Sequence, residues 1–232
     1  MDLLWQGITE AIRLLLSGDP EIFSIVLLSL RVSLTATVTS LILGVPAGMA
    51  LALSQFRGRR FLISLVNVGM GIPPVVVGLM VAILLWRSGP LGFLGIMYTP
   101  LAIIIAQTLI AFPIVTGLTL AAVQQLNPKV RLQIMALGAS RWQMLWILVR
   151  EARLSILAAA MAGFGGVISE VGASMMVGGN LLGQTRVLTT ATVLETSKGN
   201  FDVALALSTI LFALAYMITL ALTVVQQREK TL

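Results

Sequence analysis

Neither cysteine nor histidine occurs in the 232 residues. Their absence excludes disulfides, thiolate or imidazole metal sites, and any Ser-His or Cys-His nucleophile. Acid is scarce too, with nine Asp and Glu against 15 Lys and Arg, and only 10% of the chain is charged. The long apolar runs contain a single carboxylate, Glu170, so catalysis by paired carboxylates has no basis. No Gly-rich loop ending in Lys-Ser or Lys-Thr is present, and the chain has no phosphate cradle with which to hydrolyse ATP by itself. Its opening stretch, MDLLWQGITEAIRLLLSGDPE, has neither a basic leader nor a small-residue cleavage site and does not read as a signal peptide.

What is there is mostly hydrophobic, 58% of all residues, which marks a membrane protein. Crossing ~30 Å of hydrocarbon takes about 20 residues. Five runs qualify: 22–54, where only Arg31 interrupts and Val32–Leu53 is the unbroken part, then 61–86, 99–123, 154–178 and 203–225. The whole chain, 1–232, is expected to be one all-helical transmembrane domain. Leu4, Ile8, Ala11, Ile12, Leu15 and Leu16 recur at helical spacing among polar residues, so 2–17 are expected to lie in the interface with Trp5 as an anchor.

Loop charge sets orientation, because basic residues stay on the cytoplasmic side. Arg57, Arg59, Arg60, Lys129, Arg131, Arg141, Arg150, Arg153, Arg228 and Lys230 fall on one side of these spans. Arg13, Arg31, Arg87, Arg186 and Lys198 fall on the other, diluted by Asp2, Glu10, Asp19, Glu21, Glu195 and Asp202. The expected topology has the N-terminus outside and the C-terminus in the cytoplasm. Topology thus accounts for the net charge of +6, and no nucleic-acid partner is needed.

The segment 127–153, NPKVRLQIMALGASRWQMLWILVREAR, is the most informative loop. Val130, Ile134 and Leu137 form a short apolar stripe, Gly138 can end a helix in the left-handed conformation, and Ser140 with Gln143 fits a capping box. Two helices meeting at a bend would present Arg141 and Trp142 near the tip, suited either to a groove on another protein or to anionic headgroups. Physics alone leaves both open.

This helix-Gly-helix loop resembles the coupling loop of ABC importer permeases, through Leu137, Gly138, Ala139, Ser140, Arg141, Trp142 and Gln143. It departs from the family pattern in having Leu132, Gln133 and Ile134 at the Glu-Ala-Ala positions and Arg150 and Glu151 where a Leu-Pro is usual. Four further segments resemble the molybdate, sulfate and tungstate branch: SLRVSLTATVTSLILGVPAGMALA at 29–52, GIPPVVVGLMVAILLWRSGPLG at 71–92, FPIVTGL at 112–118, and SEVGASMMVGGN with TRVLTTATVLETSKG within 169–199. The last is most similar to tungstate-type permeases. The resemblance implies a type I importer-like bundle and a homodimer with the pore between subunits. It also implies an ABC ATPase dimer on the coupling loops, itself binding ATP and Mg, and an external substrate-binding protein delivering an oxyanion across a prokaryotic inner membrane. No cofactor is expected in this chain.

Within the spans, Pro73 and Pro74 remove two backbone donors and should break the second one near mid-membrane, against protein or a water path. The half-helix beginning there could favour an anion, or the break could serve packing alone; Pro46 and Pro113 read as packing kinks. In the fourth span, Ala158, Ala162, Gly165, Ser169 and Gly172 form a small-residue face for helix contact. Glu170, with Ser174 one turn on, is expected in the outer half of that span as a gate or as a hydrogen-bonded support for backbone amides or Ser hydroxyls. A neutral, protonated Glu is the alternative. Met175 and Met176 are a gate or plain filler. Beyond Gly178, Gly179 and Asn180, the side chains of Gln184, Thr185, Arg186, Thr189 and Thr190 could meet a passing anion or a binding protein, Arg186 foremost. Molybdate or sulfate instead of tungstate, and an ATP-independent channel or ion-coupled carrier centred on Glu170, are the competing functions.

Overall fold

The computed structural model describes residues 7, 9–14 and 18–228. Helix α1 spans Pro20–Leu53, opened by the Asp19 carboxylate, which accepts the Glu21 N–H, and by proline at its first position. Its length of about 51 Å exceeds the hydrocarbon thickness, so it tilts or projects. The carbonyls at its far end are taken by arginines: Arg59 Nε donates to Leu51 at 2.7 Å and Arg131 Nη1 to Leu53 at 3.4 Å. Then come α2 (Arg59–Gly71), α3 (Pro74–Leu85), a 3-10 turn at Gly92–Leu94, α4 (Pro100–Gln125), α5 (Pro128–Ala136) and α6 (Arg141–Glu151). The chain ends through α7 (Arg153–Ile168), α8 (Gly172–Gly178), α9 (Leu188–Ser197) and α10 (Phe201–Arg228). Among the described residues no strand forms.

Helices α1, α4 and α10 are each long and apolar enough to cross a membrane. The pairs α2–α3 and α7–α8 reach that length only together, bent by 104° and 59°, so up to five crossings are present by length and composition. The first bend sits on Pro73, as its chemistry requires. The second corrects an expectation: 154–178 is not one helix but breaks at 169–171, where no proline stands. There Ser169 Oγ donates to the Gly165 carbonyl at 2.8 Å, on the last turn before the break.

The frame is the α1–α4 pair. Ala36, Ser40, Gly44 and Gly48 of α1 recur every four residues, all buried. Ser40 Oγ donates to the Thr108 carbonyl at 3.1 Å. A Cβ on Gly48 would lie 2.6 Å from the Thr116 carbonyl oxygen, so only glycine lets the two backbones approach this closely. The small-residue face expected to make such a contact points elsewhere. Ala158, Ala162, Gly165 and Ser169 are exposed, and α7 packs inward through Ala159, Gly163, Phe164 and Val167, because α4 already meets its close neighbour in α1.

Of the expected interfacial helix, 9–14 are helical, with Ala11 buried among Ile22, Ile25 and Leu207. Leu4, Trp5, Ile8, Leu15 and Leu16 lie outside the described residues, as does Lys230.

Candidate functional site

The two bends meet. Val75 of α3 packs on Gly172 of α8, and a Cβ on Gly78 would come 2.5 Å from the Ala173 Cα, so the half-helices cross with their backbones touching. Pro73 and Pro74 contribute no donors at the start of α3, and the Val76 and Val77 N–H groups fold back on the Pro73 carbonyl at 2.9 and 3.4 Å. Little free donor capacity remains there for an anion.

Three polar groups hold the α7–α8 break. Glu170 Oε1 accepts the Ala173 N–H at 2.9 Å, placing a carboxylate at the positive end of α8. Thr189 Oγ1 donates to the Glu170 carbonyl at 3.0 Å. From α4, Gln107, only 2% exposed, donates through Nε2 to the Val167 carbonyl at 3.1 Å and approaches Ser174 Oγ at 3.4 Å. Glu170 is therefore hydrogen-bonded to the amide end of α8, and its side chain already takes the Ala173 N–H there. Gln107 escaped the sequence reading; a lone amide side chain in the otherwise apolar 99–123 run was the available signal.

Several expected contacts are corrected here. Ser174 is buried toward Gln107 and lines no open face, whereas Met175 and Met176 lie on the exposed side of α8. Thr190 is fully buried, its hydroxyl accepting the Val187 N–H at 3.1 Å and donating to the Val187 carbonyl at 3.0 Å. It closes the first turn of α9 because Val187 has no capping side chain. Thr189, also buried, is committed to Glu170, and Thr185 donates to the Gly178 carbonyl. These hydroxyls stitch the chain together and are out of an anion's reach. Arg186 Nη1 stands 3.6 Å from Glu21 Oε1. Nearby, hydrogen bonds from Asn200 and Lys198 hold the Glu195 carboxyl below its ordinary value.

A second feature lies at the opposite end. Helix α5 stops at Leu137, Gly138 turns left-handed at φ 78°, and α6 starts from a complete capping box. In that box Ser140 N–H donates to Gln143 Oε1 at 2.8 Å and Gln143 N–H to Ser140 Oγ at 3.3 Å. The inner side of this elbow, Ile134, Met144 and Leu148, is buried with Met49 of α1 and Val123 of α4. Its outer side exposes Leu137 by 87%, Trp142 by 82% and Trp146 by 71%, with Arg141 beside them. Leu137 thus leaves the expected apolar stripe: at the turn its side chain faces out. Trp146, one turn beyond Trp142, joins the patch and was not anticipated. Exposed aromatics on a rigid support are the usual form of a protein-docking surface.

Residues 44–229 match the family described as binding-protein-dependent transport system inner membrane component. The tungstate uptake system permease protein TupB of Peptoclostridium acidaminophilum is 37% identical over 227 residues, covering 98% of this chain and all of that one. A probable anion ABC transporter permease protein of Haloferax volcanii is 41% identical over 196 residues, 82% of this chain and 84% of its own. In fold, the chain is similar to one in inward-facing structures of the MetNI methionine ABC transporter, with a TM-score of 0.73 at 17% identity over 90% of this chain and 95% of that chain.

Proposed function

Because the chain belongs to the binding-protein-dependent transport system inner membrane components, the permease subunits of ABC importers, we propose that it carries tungstate inward, driven by a separate ATPase. The observation that carries the coupling is the elbow: one face, with Ala139, anchored on α1 and α4, the other offering Leu137, Gly138, Ser140, Arg141 and Trp142 to a partner. A push on that face is delivered to the α1–α4 frame. Likeness to a tungstate permease along the whole chain supports the choice of anion. Tungstate and molybdate share charge and nearly share size, so discrimination falls to the external binding protein.

The elbow and the arginine-rich helix ends face the cytoplasm of a prokaryotic cell, and the N-terminus lies outside. The partners are a cytoplasmic ATPase dimer, which holds ATP and Mg, an external binding protein, and a second copy of this chain. The uncovered small-residue face of α7 supports that second copy, since such faces let membrane helices approach closely. Between the copies, Met175 and Met176 narrow the path with flexible apolar side chains, while the breaks at Pro73–Pro74 and Glu170 are where the half-helices turn.

The test is reconstitution with the cognate ATPase and binding protein. Tungstate uptake should require ATP, and Gly138→Val, which forces a β-branched residue to φ 78°, should cut uptake at least tenfold while the complex still binds nucleotide. Uptake that proceeds without ATP, or survives this change, overturns the assignment in favour of a channel or ion-coupled carrier.

A further inference from the structure

Away from the breaks and the elbow, a cavity of about 210 Å³ opens between the first half of α1 and the loop before α9. Arg31 and Arg186 line it, with Ser24, Leu28, Gly183 and Gln184. Arg31 interrupts an apolar helix, yet has no hydrogen-bond or ion-pair partner among the described residues. A charge in that position is costly unless it faces water or a counter-charge. Arg186 is only loosely matched: its Nη1 lies 3.6 Å from a half-exposed Glu21 carboxylate, longer than the ~2.8 Å of a good charge-assisted bond, and its buried Nε has no partner. The other acid near Arg186, Glu195, is held by Asn200 and Lys198. Two guanidiniums therefore border one small cavity, and the one carboxylate that pairs with either of them among the described residues, Glu21, is poorly seated on Arg186.

We infer that this cavity binds a tetrahedral oxyanion between Arg31 and Arg186, and that Glu21 is the carboxylate the arriving anion displaces. Planar guanidinium forks match the oxygen edges of such an anion, whereas a lysine would offer only a point charge. The volume is ample for one tetrahedral anion with a few waters. Resting on the orientation proposed above, the site lies on the outer side, where it would receive the anion before the pore. The same chemistry would hold the phosphate of a lipid headgroup.

Glu21 makes the inference testable by sign. In the permease–ATPase complex without binding protein, held in zwitterionic nanodiscs, tungstate titration should show Arg31→Gln and Arg186→Gln weakening binding at least tenfold. Arg31→Lys should retain part of it, and Glu21→Gln should tighten binding severalfold by freeing Arg186. A merely structural Glu21–Arg186 pair predicts that Glu21→Gln weakens binding or leaves it unchanged, and either result overturns the inference. Repeating the titration in phosphatidylglycerol nanodiscs separates the sources. Unchanged tungstate affinity identifies the free anion as occupant, while loss of affinity in wild type, with little further loss in Arg31→Gln, identifies the headgroup; both uphold an oxyanion site. If Arg31→Gln leaves tungstate binding intact and instead raises the binding-protein concentration needed to stimulate the ATPase, the cavity seats an acidic side chain of that protein and the inference fails. ATP-dependent uptake by the same wild-type preparation is scored separately, so loss of this site and loss of the importer reading cannot be confused.

Discussion

Glu170 is an acid whose neighbours define its work. Its carboxylate closes the first turn of α8 through the Ala173 N–H, so Glu170→Ala should lower stability by about 0.5–2 kcal/mol, the worth of a helix cap, read as a fall in the thermal midpoint. Glu170→Gln keeps an acceptor and loses only the charge at the helix end, a cost of ~0.3–1 kcal/mol, and should leave ATP-driven uptake running. Abolished uptake in a stably folded Gln variant would make the residue an ionisable centre after all. Glu195 gives the pH dependence. Hydrogen bonds from Asn200 and Lys198 depress its folded value below the ordinary 4.5, so the stabilisation is fully present above that value and disappears as pH falls through the lowered one. Amide protection across 195–200, taken relative to the intrinsic exchange rate at each pH, should therefore hold at pH 5 and fall under stronger acid; Asn200→Ala should move that onset upward. At this scale the sequence disclosed which polar residues matter better than where they point. Glu170 was legible as a support because an oxyanion repels it, whereas Ser174, Thr189 and Thr190 look like lining residues until their buried hydroxyl partners are known.

Among the elements, the α1–α4 contact has the least tolerance. At Gly48 the nearest obstruction is the Thr116 backbone, which cannot rotate aside, so Gly48→Leu should destabilise the fold by at least the ~1–3 kcal/mol typical of overpacking and reduce the yield of protein surviving detergent extraction. Normal yield and an unchanged thermal midpoint would mean that the helices separate freely. The bend at Pro73 could be read from two missing donors, and the elbow from Gly138 and the Ser140–Gln143 cap. The break at 169–171 could not. Beside it the Val167 carbonyl accepts from Gln107, some 60 residues away in sequence, and no local pattern announces such a partner. The small-residue stripe shows the same limit: spacing reveals a surface fit for close approach and is silent about which helix arrives.

Among the faces that the described residues leave uncovered are the small-residue side of α7 and the aromatic tip of the elbow. Since the chain contains no cysteine, a single introduced thiol reports on its own position alone. Ala162→Cys should form a disulfide between copies in the membrane on mild oxidation; a chain that stays monomeric would remove the small-residue face from the subunit interface. The helical class, the apolar runs and the bend at Gly138 were all readable from composition, run length and motif, because each is a property of contiguous residues. Which small or apolar faces the chain covers by itself was not, since that becomes visible only once it has folded.

The crossing of α3 and α8 limits how this permease can move. The Gly78 and Ala173 backbones are in contact, and each half-helix meets the rest of its span at a bend, one at Pro73 and one at 169–171. Any displacement of α3 must therefore carry α8 with it, so the two half-helices count as one body.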